Sequence, residues 1–527
     1  MKRININEET GMALLEKGKK GVLKVVFSRL GIIILLLLVQ IVALTVLLLQ
    51  FSAYIHLFSG IMLVISVISV LYLLNSGLDP TIKITWLIII MVMPIFGALL
   101  LLYTQCDIGH SLAKKRLASI MCKTKNSIAQ DPDVMERMRT DAAESAALTT
   151  YLNLSGNFPA YDQTDVTYYP LGEHKFEAML AELEAAKEFI FMEYFIVDEG
   201  LMWGKILEIL ARKAAAGVDV RVMYDGTCEL STLPRNYPER LKELGIQCRV
   251  FSPFTPFLST HYNYRDHRKI LVIDGHTAFT GGVNLADEYI NHIDRFGHWK
   301  DTAVRLKGKA VQSFTLMFLQ MWSIEEKDLE FDRYLRASDH CCANAAGYVV
   351  PFGDSPLDKY KVGERVYMDI LNQSEHYVYI MTPYLILDVE LESALKFAAE
   401  RGVDVRVILP GIPDKKFPYM LAKTHYASLL DSGVRIFEYT PGFVHAKMFV
   451  SDDEKAVVGT INLDYRSLYH HFECASYLHG VSCIPEIRDD ILETQNYCRE
   501  VTHDTVKQEK PLWKLLGFVM KAIAPLM

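Results

Sequence analysis

Five residue types recur at fixed spacing in two places along this 527-residue chain. His267, Lys269, Asp274, Gly281 and Asn284 form the first set. His445, Lys447, Asp452, Gly459 and Asn462 form the second, each 178 positions after its counterpart. A single His-x-Lys pair arises readily by chance, but two copies matched at five positions do not. Imidazole can attack phosphorus or carry a proton, ammonium can neutralise an oxyanion, and a carboxamide can donate N–H to a phosphate oxygen. In pairs, these groups describe one symmetric pocket for an anionic group, most simply a phosphodiester.

Roles follow from side-chain direction. Alternate residues of a strand share a face, so His267 points with Lys269 and His445 with Lys447. Asp274 and Asp452 have the opposite parity. They complete the catalytic set through structural hydrogen bonding and not by attack on substrate. One histidine can act as nucleophile while the other protonates the leaving alkoxide and then serves as base for the acceptor alcohol. The lysines stabilise the oxyanion that gains charge on attack. Asn284 and Asn462 are expected to donate to phosphate oxygens, with Gly282 and its counterpart Thr460 beside them on the substrate. No metal or cofactor is required, because two lysines and two asparagines supply the electrostatics.

The elements that must position these residues are also repeated. A buried-strand run at 189–196, a helical pattern at 205–216 and the hexapeptide Gly217-Val-Asp-Val-Arg-Val222 return as 377–384, 391–401 and Gly402-Val-Asp-Val-Arg-Val407. Alternating strands and helices predict two α/β half-domains, each a mostly parallel sheet flanked by helices. The repeat is too long for a solenoid unit, so two fused halves are expected at 165–345 and 346–504. The repeated hexapeptides read as sheet framework, their Asp and Arg turned towards other chain segments.

The first hundred residues are different material. Between Arg29 and Asp79 the only side chain that can carry charge near neutral pH is His56, and between Lys83 and Asp107 there is none. A membrane-spanning helix needs about 20 apolar residues. A transmembrane anchor is therefore expected over 31–104, with spans near 31–51, 56–75 and 85–104. It follows a basic segment at 1–30 and leads into a linker with short helices at 105–164. Basic clusters at both ends of the anchor would lie on opposite sides after three full crossings, against the tendency of both to stay inside. The final stretch, 505–527, has the composition of an interfacial helix, and equally of a helix that docks on the core. A net charge of −8 argues against a nucleic-acid partner. Nine scattered cysteines without a Cys-x-x-Cys pair argue against a zinc site or a disulfide framework.

The motif His-x-Lys-x4-Asp-x6-Gly-x2-Asn, present twice, resembles the phospholipase D superfamily, and within it the bacterial cardiolipin synthases. Supporting stretches are Phe279–Tyr289, His298-Trp-Lys-Asp301 with Arg305–Gly308, and Gly459–Ser467. The resemblance covers residues from about 165 to the end and includes an amino-terminal membrane anchor. It implies a multi-pass protein of the bacterial cell membrane that joins two phosphatidylglycerols into cardiolipin and releases glycerol through a phosphatidyl-histidine intermediate. The histidine of the first motif, His267, would be the nucleophile and His445 the general acid. Asp301 and Glu473 would orient the histidines. Simple hydrolysis and phosphatidylserine synthesis are alternatives within the same superfamily. Two departures stand out: three hydrophobic segments where two are usual, and His470-His471-Phe472 before Glu473, where the family commonly has Asn-Phe.

Overall fold

The computed structural model describes residues 37–42, 45, 55–105, 108–253, 264–326, 331–335, 342 and 344–524. The first half contributes nine strands: β1 (Asp165–Tyr169), β2 (Phe189–Tyr194), β3 (Asp219–Asp225), β4 (Gln247–Phe251), β5 (Arg265–Asp266), β6 (Lys269–Ile273), β7 (Thr277–Gly281), β8 (His298–Lys300) and β9 (Ala303–Lys307). The second contributes β10 (Tyr348–Asp354), β11 (Tyr377–Met381), β12 (Asp404–Pro410), β13 (Arg435–Tyr439), β14 (Gly442–Val444), β15 (Met448–Ser451), β16 (Lys455–Gly459), β17 (His471–His479) and β18 (Cys498–Val501). The sheets run β1-β9-β7-β6-β2-β3-β4 and β10-β17-β16-β15-β11-β12-β13-β18. Apart from β18 the two orders correspond strand for strand, as the sequence repeat requires.

The sheets are mixed, which corrects the expectation of mostly parallel ones. Within these two strand orders only β2-β3-β4 and β11-β12-β13 are parallel. The motif strands β6 and β15 run antiparallel to their neighbours on both sides. The cause is connection length. Three residues join β6 to β7 and β15 to β16, and a parallel pair needs a crossover of a dozen or more. Each turn places its motif aspartate at positive φ, 50° for Asp274 and 55° for Asp452, a conformation aspartate tolerates better than most residues.

Helices such as Leu201–Ala215 and Val389–Glu400 cover the sheets, and the central strands β2, β6, β7, β15 and β16 are buried along their whole length. One core joins the halves. Phe191, Ile270, Val272 and Ala278 from the first sheet pack in the same cluster as Met448, Val450, Ala456 and Val458 from the second. Residues 105–164 do more than link. Helices Pro132–Asp141 and Ala143–Gly156 bury Met135, Met138 and Leu152 in the core of the second half.

The membrane segments differ from expectation. Helix Ile55–Asn75 has 21 residues, and the side chains of its first four lie outside the described set. Among the described residues no helix is long and apolar enough to cross a membrane. The expected span at 31–51 falls mostly outside those residues. The expected span at 85–104 is two helices, Pro80–Val92 and Pro94–Gln105. Pro94 lacks an N–H and forces the preceding residue out of the helical region, so the run breaks there. The second helix folds back on the first. A Cβ on Gly97 would come within 2.9 Å of the Ile90 Cα, a contact only glycine permits. These helices leave Leu63, Ile68, Met91, Val92 and Leu102 exposed. Their tip docks on the second half-domain, where Asp79 meets Lys361 at 3.5 Å and Thr81 lies beside Tyr465.

Candidate active site

The two sheets exchange strands at the site. β5, just before His267, pairs in parallel with the start of β17, and β14, just before His445, pairs in parallel with β8. The His267 backbone N–H donates to Phe472 O at 2.9 Å, and that of His445 donates to Lys300 O at 2.7 Å. Each histidine is thereby brought opposite an acid from the other half of the chain. His267 Nδ1–H donates to both carboxylate oxygens of Glu473 at 2.9 Å. His445 Nδ1–H donates to Asp301 Oδ2 at 2.6 Å. A carboxylate can only accept, so Nδ1 carries the proton in both rings and the lone pair is left on Nε2.

All six groups are buried. Lys269 Nζ donates to the carbonyl of His267 at 2.5 Å, and Lys447 Nζ donates to that of His445. Burial lowers Lys269 to about 8 and Lys447 to about 7. Burial also lowers both histidines, His267 well below its ordinary value and His445 to about 4, with the nearby lysines adding to the effect. Burial pushes the other way on Asp301, but the His445 contact and the Lys447 charge outweigh it and hold the carboxylate below its usual range. Glu473 is lowered in the same way by His267 and His471. These shifts favour neutral imidazoles on ionised acids. Lys269 perturbs both His445 and Lys447 across the boundary between halves, so the two motifs form one electrostatic site.

Other expected residues are placed differently. Asp274 accepts from the backbone N–H groups of Lys187, Glu188 and Phe189 at 2.7, 2.7 and 2.8 Å. Asp452 does the same for Glu375, His376 and Tyr377 at 2.9, 3.0 and 2.8 Å. Both aspartates sit at the far end of the motif strand, where they fasten it to the start of β2 or β11. They are not in the pocket. Gly282 and Thr460 serve the acids and not a substrate. A Cβ on Gly282 would lie 2.0 Å from Asp301 Oδ1, whereas the Thr460 hydroxyl donates to Glu473 and accepts the Cys474 N–H.

The asparagines are unequal. Asn284 accepts from the Ile196 N–H at 3.0 Å and donates to the Tyr289 hydroxyl at 2.9 Å, so its amide holds loops together where a phosphate donor was expected. Asn462 is buried, and its Oδ1 has no partner among the described residues. Residues outside the motif complete the walls. Phe195 packs edge-on against the His267 ring at 4.9 Å, and Tyr289 edge-on against the His445 ring at 5.3 Å. Lys175, from helix Gly172–Ala185, is buried close enough to sense Asp301 and Lys269, and burial lowers it to about 7. None of these three carries a spacing signal that a single chain could reveal.

Two half-sheets that share a core and exchange acid–histidine pairs define a duplicated phosphodiester-transfer fold. Residues 179–322 and 367–493 match the family model described as cardiolipin synthase, PLD-like domain. The chain belongs to that family, within the phospholipase D superfamily. It is 31% identical over 458 residues to cardiolipin synthase 2 of Bacillus cereus, covering 85% of this chain and 87% of that protein. It is 58% identical over 459 residues to an uncharacterised protein of Streptococcus mutans serotype c, covering 87% and 99%. Among solved structures, phosphatidylserine synthase of Haemophilus influenzae matches with a TM-score of 0.55 at 15% identity, over 73% of this chain and 98% of that one. At that identity the likeness concerns the fold.

Proposed function

We propose that this protein is a membrane-bound phosphatidyltransferase that makes cardiolipin from two phosphatidylglycerols through a phosphatidyl-His267 intermediate. The observation that carries the reading is the reciprocal exchange of acids: Glu473 on His267 and Asp301 on His445. This gives two imidazoles whose Nδ1 atoms are engaged by the acids, leaving the Nε2 lone pairs for chemistry beside the two lysines. The relatives named cardiolipin synthase favour the lipid acceptor.

In the first half-reaction His267 Nε2 attacks the donor phosphorus. The bond from phosphorus to the headgroup glycerol oxygen breaks, and His445 gives that oxygen its proton. Burial and lysine charge keep His445 unprotonated before substrate binds. The bound phosphate anion offsets that lysine charge and lets His445 take up the proton. Glycerol leaves. In the second half-reaction the headgroup hydroxyl of another phosphatidylglycerol loses its proton to His445 Nε2, attacks phosphorus and displaces His267. Lys269 and Lys447 stabilise the oxygens that gain charge in both steps.

Transfer prevails over hydrolysis because donor and acceptor share a lipid surface. The exposed apolar helices dock beside Tyr465, close after the second motif, so lipid hydroxyls reach the pocket at high local concentration. Purified protein given phosphatidylglycerol alone should yield cardiolipin and glycerol, identified by mass. Phosphatidic acid as the sole lipid product would assign a hydrolase instead. Product formed only when serine is added would assign a serine transferase.

A further inference from the structure

His471 is a histidine that the transfer chemistry leaves without a task. It opens β17 two residues before Glu473, so the two side chains share a face of the strand. It is 7% exposed. Its Nε2 has no partner among the described residues, and its Nδ1 has only a long contact with an acid. The ring stands 5.3 Å from that of His267. Its Nδ1 lies 3.5 Å from Glu473 Oε1 without forming a hydrogen bond. One donor atom from each of His267, His471 and Glu473 falls within 4.8 Å of the other two.

We propose that His267, His471 and Glu473 form a site for a divalent transition-metal ion of the zinc type, bound reversibly in place of the phosphodiester. Two imidazoles and one carboxylate are a ligand set that zinc accepts, with the fourth position left for water. Zinc–nitrogen and zinc–oxygen bonds of about 2.0–2.1 Å place tetrahedral ligands about 3.3 Å apart. The three groups therefore need only ring rotation and a small contraction to close on an ion. The residue that departs from the family pattern is the one that supplies the third ligand.

Lys269 and Lys447 face the same pocket, and their charge opposes a dication. The ion is therefore a reversible visitor and not a resident cofactor. Its consequence is inhibition, because ligation engages His267 and occupies the space of the phosphoryl group. The inference holds whichever lipid the site transfers.

The test is calorimetric titration of the full-length protein in detergent with ZnCl2 and no lipid. One equivalent should bind, and His471→Asn and Glu473→Gln should each weaken binding by at least about tenfold. With Co2+ as probe, the wild type should give the intense visible absorption of a tetrahedral ion, and His471→Asn should lose it. Thermal melts of His471→Asn and His471→Gln identify a folded variant for the comparison. No binding by the wild type, or wild-type affinity in both His471 variants, would overturn the site. Zinc should also inhibit lipid turnover and excess chelator should relieve it, with His471→Asn needing at least about tenfold more zinc. Equal sensitivity of the two proteins would contradict the proposal. Binding is read without substrate, so a failure of the cardiolipin reading leaves this result standing, and the reverse also holds.

Discussion

His267 and Glu473 are 206 residues apart in the chain and stand opposite each other in register, at the point where β5 joins β17. His445 and Asp301 repeat the relationship in the other direction, where β14 joins β8. Neither half-domain holds a working histidine by itself. Each lends its acid to the other, so the duplicated motif becomes a catalytic site only when the halves share one core.

That dependence gives a sharp expectation for Glu473→Gln. The Thr460 hydroxyl donates towards the position of Oε2, so the glutamine carbonyl turns to it and the amide NH2 faces His267. The ring must then protonate Nε2 and loses its nucleophilic lone pair. Turnover should fall by about 100- to 10,000-fold, the range seen when an orienting acid is neutralised. KM should change little, and Glu473→Asp should restore part of the rate. Steady-state kinetics in mixed micelles separate the two parameters.

Gly282 tests the other acid. A Cβ there would take the place of Asp301 Oδ1, so Gly282→Ala should push Asp301 off His445 and reduce turnover sharply in protein that still folds. Thr460→Ser keeps the hydroxyl that Glu473 needs and should stay close to wild-type activity. Activity and circular dichroism on the two variants check this. A fully active Gly282→Ala would mean that Asp301 does not orient His445.

Asp452 should matter for stability. Three backbone N–H groups converge on its carboxylate, and hydrogen bonds to a charged acceptor contribute more than neutral ones. Because the site is partly exposed, Asp452→Ala should cost about 2–4 kcal/mol. Molecules that remain folded should keep most of their turnover. Thermal melting in detergent, with activity normalised to folded protein, measures both effects.

Much of the active site could be read in the sequence because its spacing is local. His267 with Lys269, and His445 with Lys447, share a strand face by simple alternation, and parity alone turned Asp274 and Asp452 away from the pocket. The repeat also conveyed the two-half organisation. The sheet direction was not legible from strand–helix alternation, although the short β6–β7 connection contained the answer. Phe195 and Tyr289 were missed because they reach the catalytic histidines from separate elements by tertiary packing. Asn284 carries the same motif letter as Asn462, yet Tyr289 occupies its amide, and spacing cannot show such a partner. The break at Pro94 was visible as a residue but was outweighed by the length of the apolar run around it.

Alkaline pH should act through the lysines. Burial lowers Lys447 to about 7 and Lys269 to about 8. Both are charged below those values and lose the charge as pH rises through them, which weakens the hold on an anionic phosphate. The ratio kcat/KM reports free-enzyme groups, so it should decline above pH about 7–8. Arginine stays protonated throughout this range. If Lys447→Arg retains measurable activity, its alkaline limb should move to higher pH. An unmoved limb would assign the decline to another group.

The central claim is that His267 carries the phosphatidyl group while His445 handles the proton. Protein quenched in acid or base during turnover on phosphatidylglycerol, then digested and analysed by mass, tests it most directly. A base-stable, acid-labile phosphatidyl adduct should map to His267. It should be absent from His267→Ala, and His445→Ala should lose turnover because it cannot protonate the leaving glycerol efficiently. Turnover with no adduct on either histidine would contradict the account.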